Sequence, residues 1–241
     1  MINELKREKR KYGLSENLTQ KELNLLSKNY PIQKIIGHVE MLNVKIDLSY
    51  KVLIPRYETE EVILKAFEYI KNDSSFKVLD LATGSGFIAL AIKKKFSSAK
   101  IYASDISKIA LRQASKNAQI NKLDIGLIHS NWFSNVNQKF NLIICNPPYI
   151  GKYEELSESI KKYEPKKALY AKDDGFYFYK KIIRQAPMYL QNEKLLIFEL
   201  SALHLDKWNK IKNQKAKYNI NSITFFNDIA NLLRIAIIKF N

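Results

Sequence analysis

Cysteine is almost missing from this 241-residue chain. Cys145 stands alone, which excludes an internal disulfide framework and any thiolate-rich metal site. The three histidines are scattered, so a His-ligated catalytic zinc is not expected either, and no metal site is assigned. Glycine (7) and proline (6) are too few for a collagen-like or linker-dominated chain. No apolar run reaches the roughly 18 residues that a membrane span needs, and Met1–Arg7 leads into no apolar signal segment. A cytoplasmic protein without a membrane partner is expected.

Arginine is scarce too. Lysine and arginine total 40 against 24 acidic residues, a formal charge of +16, yet only six of the 40 are arginine. Such an excess points toward nucleic acid. The forks that grip phosphates and base edges are usually arginines, however, and no segment concentrates the charge. A solvated basic surface with weak, unspecific RNA binding is expected. What the chain does have is an ordinary core composition, 46% hydrophobic and 27% charged.

Residues 1–29 read as polar and helical, with Ser15 and Thr19 as candidate caps and Leu23, Leu25 and Leu26 as an apolar face. Tyr30-Pro31 ends that stretch, because a residue before proline avoids the helical region. Alternation over 39–54, with Val44, Ile46 and Leu48 on one face, predicts a β-hairpin, and 58–71 returns to helical spacing. From residue 76, strand patterns (76–81, 100–104, 125–129, 140–145, 195–200, 220–226, 232–240) alternate with helical ones (88–96, 107–121, 175–190, 202–212). This predicts an α/β fold, a mostly parallel seven-stranded sheet with helices on both faces. The expected division is a short helical segment (1–29), a linker and hairpin (30–57) and the main domain (58–241). Ligands of such sheets sit outside the carboxyl ends of the strands.

Three strand ends carry chemistry. The first is Asp80-Leu81-Ala82-Thr83-Gly84-Ser85-Gly86, where glycines let the backbone approach a ligand and the following helix offers free N–H groups. Gly84–Ala89 also fits the dinucleotide pattern G-x-G-x-x-A. A carboxylate at Asp80 would repel a pyrophosphate but attract an ammonium-bearing ligand without phosphate, such as S-adenosyl-L-methionine; a plain turn of small residues explains the motif in isolation. Asp105 follows about 20 residues after Gly86, where an acidic side chain accepts ribose hydroxyls, or simply precedes the helix capped by Ser107. The most specific signal is Asn146-Pro147-Pro148-Tyr149, directly after an apolar strand. Its prolines turn carbonyls away from the ladder. The Asn146 side-chain oxygen and the Pro147 carbonyl can then each accept one N–H of a planar NH2 group, with the Tyr149 ring against the substrate plane.

Together these residues resemble the class I, Rossmann-like methyltransferases and, more narrowly, the protein-(glutamine-N5) methyltransferases of peptide chain release factors. The resemblance runs from about Tyr30 to the C-terminus. Tyr30–Gly37 is similar to the family's linker, and Leu53-Ile54-Pro55-Arg56-Tyr57-Glu58-Thr59-Glu60 to its I-P-R-P-[DE]-T-E signature. Ser130-Asn131-Trp132-Phe133 resembles its S-D-W-F segment, and Tyr163-Glu164-Pro165 with Ala168-Leu169 its E-P-x-x-A-L segment. The resemblance implies that Asn146, Pro147, Pro148 and Tyr149 grip the substrate amide, with Arg56 and Glu58 on the substrate side. It implies that S-adenosyl-L-methionine is held by Asp80, Ala82, Thr83, Gly84, Ser85, Gly86, Asp105, Ile106 and Asn146, with Asn131, Trp132 and Phe133 bordering the adenine. Three residues depart from the family pattern: Ala82 replaces the first glycine, Tyr57 a proline and Asn131 an aspartate. The region before Tyr30 is also much shorter than the family's N-terminal domain.

The implied activity is methylation of the side-chain nitrogen of the glutamine in the Gly-Gly-Gln motif, by a monomer whose partner is a release factor. No strong base is needed beforehand, since the amide proton becomes acidic only as the new N–C bond forms. The alternative is an adenine-N6 or guanine-N2 methyltransferase of RNA or DNA using the same grip; the charge favours it, and the missing target-recognition domain opposes it. A silent RNA-binding module would not need Asp80, Asp105 and an intact Asn146–Tyr149 together.

Overall fold

The computed structural model describes all 241 residues. Three helices, α1 (Ile2–Lys11), α2 (Gln20–Ser27) and α3 (Ile32–Ile36), gather around Leu5, Leu26 and Ile32. Thr19 caps α2 in a reciprocal capping box with Glu22, whereas Ser15 heads no helix. A hairpin of β1 (His38–Met41) and β2 (Val44–Asp47) follows, then α4 (Tyr57–Phe67). The main domain continues with β3 (Lys77–Leu81), α5 (Phe87–Lys95), β4 (Lys100–Asp105), α6 (Lys108–Asn121), β5 (Gly126–His129) and β6 (Phe140–Cys145). It ends with α7 (Glu158–Tyr163), α8 (Tyr177–Gln185), β7 (Leu190–Glu199), α9 (Leu205–Asn213), β8 (Ile220–Asn227) and β9 (Leu233–Phe240).

The seven-stranded sheet has the order β5-β4-β3-β6-β7-β9-β8, with only β9 reversed. Successive strand residues feed opposite faces. Val78, Ile101, Leu142, Ile144 and Ile197 pack with α4, α5 and the hairpin. Leu79, Leu81, Ile143, Cys145, Leu196 and Phe198 pack with α8 and α9, around Trp208. Every residue of β6 is buried, as befits a central parallel strand covered on both sides.

The hairpin ends at Asp47, earlier than its alternation suggests. Three amides of α6 take the place of a further strand: Asn121, Asn117 and Gln113 accept the backbone N–H groups of Lys45, Asp47 and Tyr50 at 2.9, 2.9 and 2.8 Å. Their four-residue spacing puts them on one helix face. Residues 48–56 are thereby led along the carboxyl edge of the sheet. The helix expected over 175–190 closes at Gln185, because Pro187 cannot continue the α ladder, and a 3-10 turn, Ala186–Tyr189, leads directly into β7. The five- and six-residue helices α3 and α7 were not expected; both are too short for helical periodicity to show.

Candidate active site

Strand order reverses between β3 and β6, and the crevice at such a switch point is where open α/β sheets bind ligands. Register decides who meets there. Leu81 pairs with Ser104 of β4 and with Cys145 of β6, and Cys145 pairs with Phe198 of β7. The residues that follow, Ala82, Asp105, Asn146 and Glu199, therefore stand in a row across four strand ends.

The turn after β3 is tied down from both sides. Thr83 N–H donates to the Ser104 carbonyl at 2.9 Å, and Gly84 N–H to Asp105 Oδ2 at 3.0 Å. Asp105 Oδ1 accepts the Ser107 amide at 2.8 Å, and Ser107 in turn caps α6. Asp80 lies fully buried beneath the turn. Its Oδ2 accepts the Thr83 hydroxyl at 2.5 Å and the Ala89 amide at 3.1 Å, while Oδ1 has no partner. Burial, with a smaller push from Asp105, raises its pKa to about 7. Burial raises Asp105 as well.

A cavity of about 620 Å³ opens over this row. Of the residues singled out from the sequence, it is lined by Ala82, Thr83, Gly84, Ser85, Asp105, Ile106, Asn131, Trp132, Asn146, Pro148 and Arg56. The others lie outside it. Asp80 and Gly86 support the turn from behind. Phe133 is buried in the core, stacked on Tyr189, while Trp132, whose backbone is left-handed, lines the cavity. Glu58 faces solvent from the first turn of α4, and its neighbour Thr59 lines the cavity instead. Pro147 and Tyr149 sit beside the lining.

Asn146 lines the cavity with its side-chain amide engaged by no group of the chain. The Tyr149 hydroxyl donates to Glu199 Oε1 at 3.3 Å. Burial, reinforced by Glu199, pushes the Tyr149 pKa up, so the phenol stays protonated and cannot serve as a base. No histidine lines the cavity, and Asp105 is its only acidic side chain. Arg56 lines it while its guanidinium is held elsewhere, donating to the Ile54 carbonyl at 3.0 Å and to Glu164 at 2.6 Å. Glu164 is 2% exposed, so Arg56 pins the Pro165–Ala168 segment to the cavity wall. Sequence reasoning missed Thr59, Phe178 (packed on Trp132 at 4.7 Å) and the rim lysines Lys51, Lys166, Lys167 and Lys181. Only Thr59 had a signal, its place in the Leu53–Glu60 signature.

The methyltransferase small domain family matches residues 60–162. A release factor glutamine methyltransferase of Lactococcus lactis subsp. lactis is 37% identical over 196 residues, covering 78% of this chain and 72% of that protein. One of Buchnera aphidicola subsp. Schizaphis graminum is 40% identical over 205 residues, covering 82% and 71%. This chain belongs to the release factor glutamine methyltransferase family. Among solved structures, a methyltransferase from Pyrococcus furiosus superposes with a TM-score of 0.61 at 19% identity, over 92% of this chain and 98% of that one, which speaks to the fold. No helix is long and apolar enough to cross a membrane.

Family membership gives the departures a physical meaning. Ala82 has φ of 62°, the left-handed region that a glycine enters without penalty. Tyr57 occupies the first position of α4, where proline is favoured because that N–H has no helical partner. Its exposed side chain instead accepts a hydrogen bond from Lys11 Nζ at the hydroxyl oxygen, at 3.2 Å.

Proposed function

We propose that this protein transfers a methyl group from S-adenosyl-L-methionine to the side-chain amide nitrogen of the glutamine in the Gly-Gly-Gln motif of peptide chain release factors. The observation that carries this reading is the 37% identity to a release factor glutamine methyltransferase over 78% of the chain. The unengaged amide of Asn146 at the switch point supplies the chemistry.

The cavity residues fit the cofactor. Asp105 in the cavity and Asp80 beneath its floor, whose Oδ1 has no partner, offer carboxyl oxygens to an ammonium group at the ends of β3 and β4, although Lys51, Arg56, Lys166, Lys167 and Lys181 also line the cavity. S-adenosyl-L-methionine supplies a methyl group made electrophilic by its sulfonium. Ala82–Ser85 would hold its amino-acid end, Asp105 its ribose hydroxyls, and Ile106, Asn131 and Trp132 its adenine. An amide oxygen at Asn131 still accepts the bond that an aspartate would.

An amide nitrogen is a poor nucleophile, because its lone pair is delocalised into the carbonyl. Asn146 Oδ1 and the Pro147 carbonyl each accept one of its hydrogens, which orients the nitrogen and draws electron density onto it. The rigid Pro-Pro backbone fixes both acceptors. Neither Tyr149, held protonated, nor any histidine acts as a base. The methyl–sulfur bond breaks as the N–C bond forms, leaving a neutral thioether, and the surplus proton then passes from the nitrogen to water. A release factor is the protein partner, and the dispersed basic surface binds RNA weakly and without selectivity.

Incubation with methyl-labelled cofactor and either a release factor or total RNA tests the reading. Label is expected on the glutamine-bearing peptide; label confined to RNA would overturn it.

A further inference from the structure

We infer that Glu199, at the end of β7, is a positioning residue that fixes the substrate grip through Tyr149 and locks it to the cavity wall through Thr59. This rests on the proposed grip by Asn146 and Pro147.

Glu199 is 1% exposed and follows Phe198, whose pairing with Cys145 sets Glu199 beside Asn146. A carboxylate in that place is costly. The neighbouring core positions hold Phe198 and Leu200, both fully buried and apolar. Arg234 attracts it through space but does not bond it, since its guanidinium donates to Asp228 at 3.0 Å and to the Leu200 carbonyl at 3.2 Å. What Glu199 does hold are two hydroxyls from opposite sides of the site. Oε2 accepts Thr59 of α4 at 2.6 Å, and Oε1 accepts Tyr149 of the grip at 3.3 Å. Both carboxylate oxygens are thus used to join a cavity-lining helix to the segment that grips the substrate.

A second fastening makes the geometry specific. Gly175 packs so closely on the Tyr149 carbonyl that a Cβ there would stand 2.0 Å from the oxygen. Tyr149 is therefore packed against Gly175 at its carbonyl and hydrogen-bonded to Glu199 at its hydroxyl. Pro147 and Pro148 give the preceding backbone little freedom, so the setting of Tyr149 fixes where the Pro147 carbonyl and Asn146 point. Loss of the Glu199 bond frees the ring end of this clamp and leaves the turn after β3 untouched.

A double-mutant cycle with Tyr149→Phe and Glu199→Leu tests this, with methyl transfer to a release factor, cofactor affinity and melting measured for each variant. Each single change is expected to lower kcat on the order of tenfold, with cofactor affinity within about twofold of wild type. The double variant should be no slower than the worse single one, because both remove the same bond. Glu199→Gln, which keeps an acceptor, should lose less than Glu199→Leu. Hydrogen exchange at the amides of 149–151 should quicken in all these variants while that of 83–86 does not. Losses that multiply in the double variant, with exchange at 149–151 unchanged, would overturn the inference. Wild-type enzyme inactive on release factors would overturn the proposed function alone; hydrogen exchange would still decide the role of Glu199.

Discussion

Asp105 Oδ2 accepts the Gly84 amide at 3.0 Å, so the side chain assigned to the cofactor ribose also holds the turn assigned to its amino-acid end. The two halves of the proposed cofactor site are one mechanical unit. A carboxylate has lone pairs enough to keep the Gly84 and Ser107 amides while accepting ribose hydroxyls.

Asp105→Ala therefore removes a ribose acceptor and loosens the turn together. Cofactor binding should weaken by about 1–3 kcal/mol for the lost charge-assisted bond. Asp105→Asn, which keeps one acceptor, should fall between. Calorimetry on both variants checks this, and tighter binding of NAD than of S-adenosyl-L-methionine would refute the cofactor assignment.

Asp80 makes the site respond to pH. Its pKa is raised from 3.8 to about 7, so between those values the folded protein keeps a proton that the unfolded chain has lost. The unliganded fold should thus lose stability as pH rises through that window and level off above it. A cation bound in the cavity favours the ionised carboxylate, so cofactor affinity should rise from pH 6 to 8, with proton release on binding. Calorimetry in two buffers of different ionisation enthalpy measures that release. Asp80→Asn should diminish both effects; unchanged proton release would assign it to another group.

Ala82 carries strain at the place where the family usually has glycine. Ala82→Gly should relieve the left-handed alanine and stabilise the protein by about 1 kcal/mol, roughly 2–4 °C in Tm. Thermal unfolding checks it. A drop in Tm would mean that the packing of the alanine methyl outweighs its backbone strain.

Much of the sheet was legible because local pattern and tertiary role coincide. The apolar run 140–145 reads as a buried strand and is one, and Ser107 caps α6 as its residue type suggests. The place of Asn146 at the cavity was legible because it directly follows an apolar strand and heads a Pro-Pro-Tyr turn. What stayed hidden depends on distant partners or on helix phase. Nothing near Glu199 in sequence announces Thr59, 140 residues away. Whether Glu58 or Thr59 faces the cavity depends on where α4 begins, and the residue types do not say which of Trp132 and Phe133 lines it. Asp80 sits at the strand end as expected. Its burial under the turn follows from its bonds to Thr83 and Ala89.

The role of Asn146 is open to the most direct measurement: single-turnover methylation of a release factor by Asn146→Ala and Asn146→Asp, with cofactor affinity determined in parallel. Removing one of two oriented acceptors should lower the rate of transfer on the order of 10²–10³-fold, by analogy with loss of one oxyanion-hole donor. Asn146→Asp, which keeps shape and acceptor, should retain far more activity than the alanine variant, and cofactor affinity should change little in either. Near-wild-type transfer by Asn146→Ala would show that the Asn-Pro-Pro-Tyr segment is a structural turn and that the amide is gripped elsewhere.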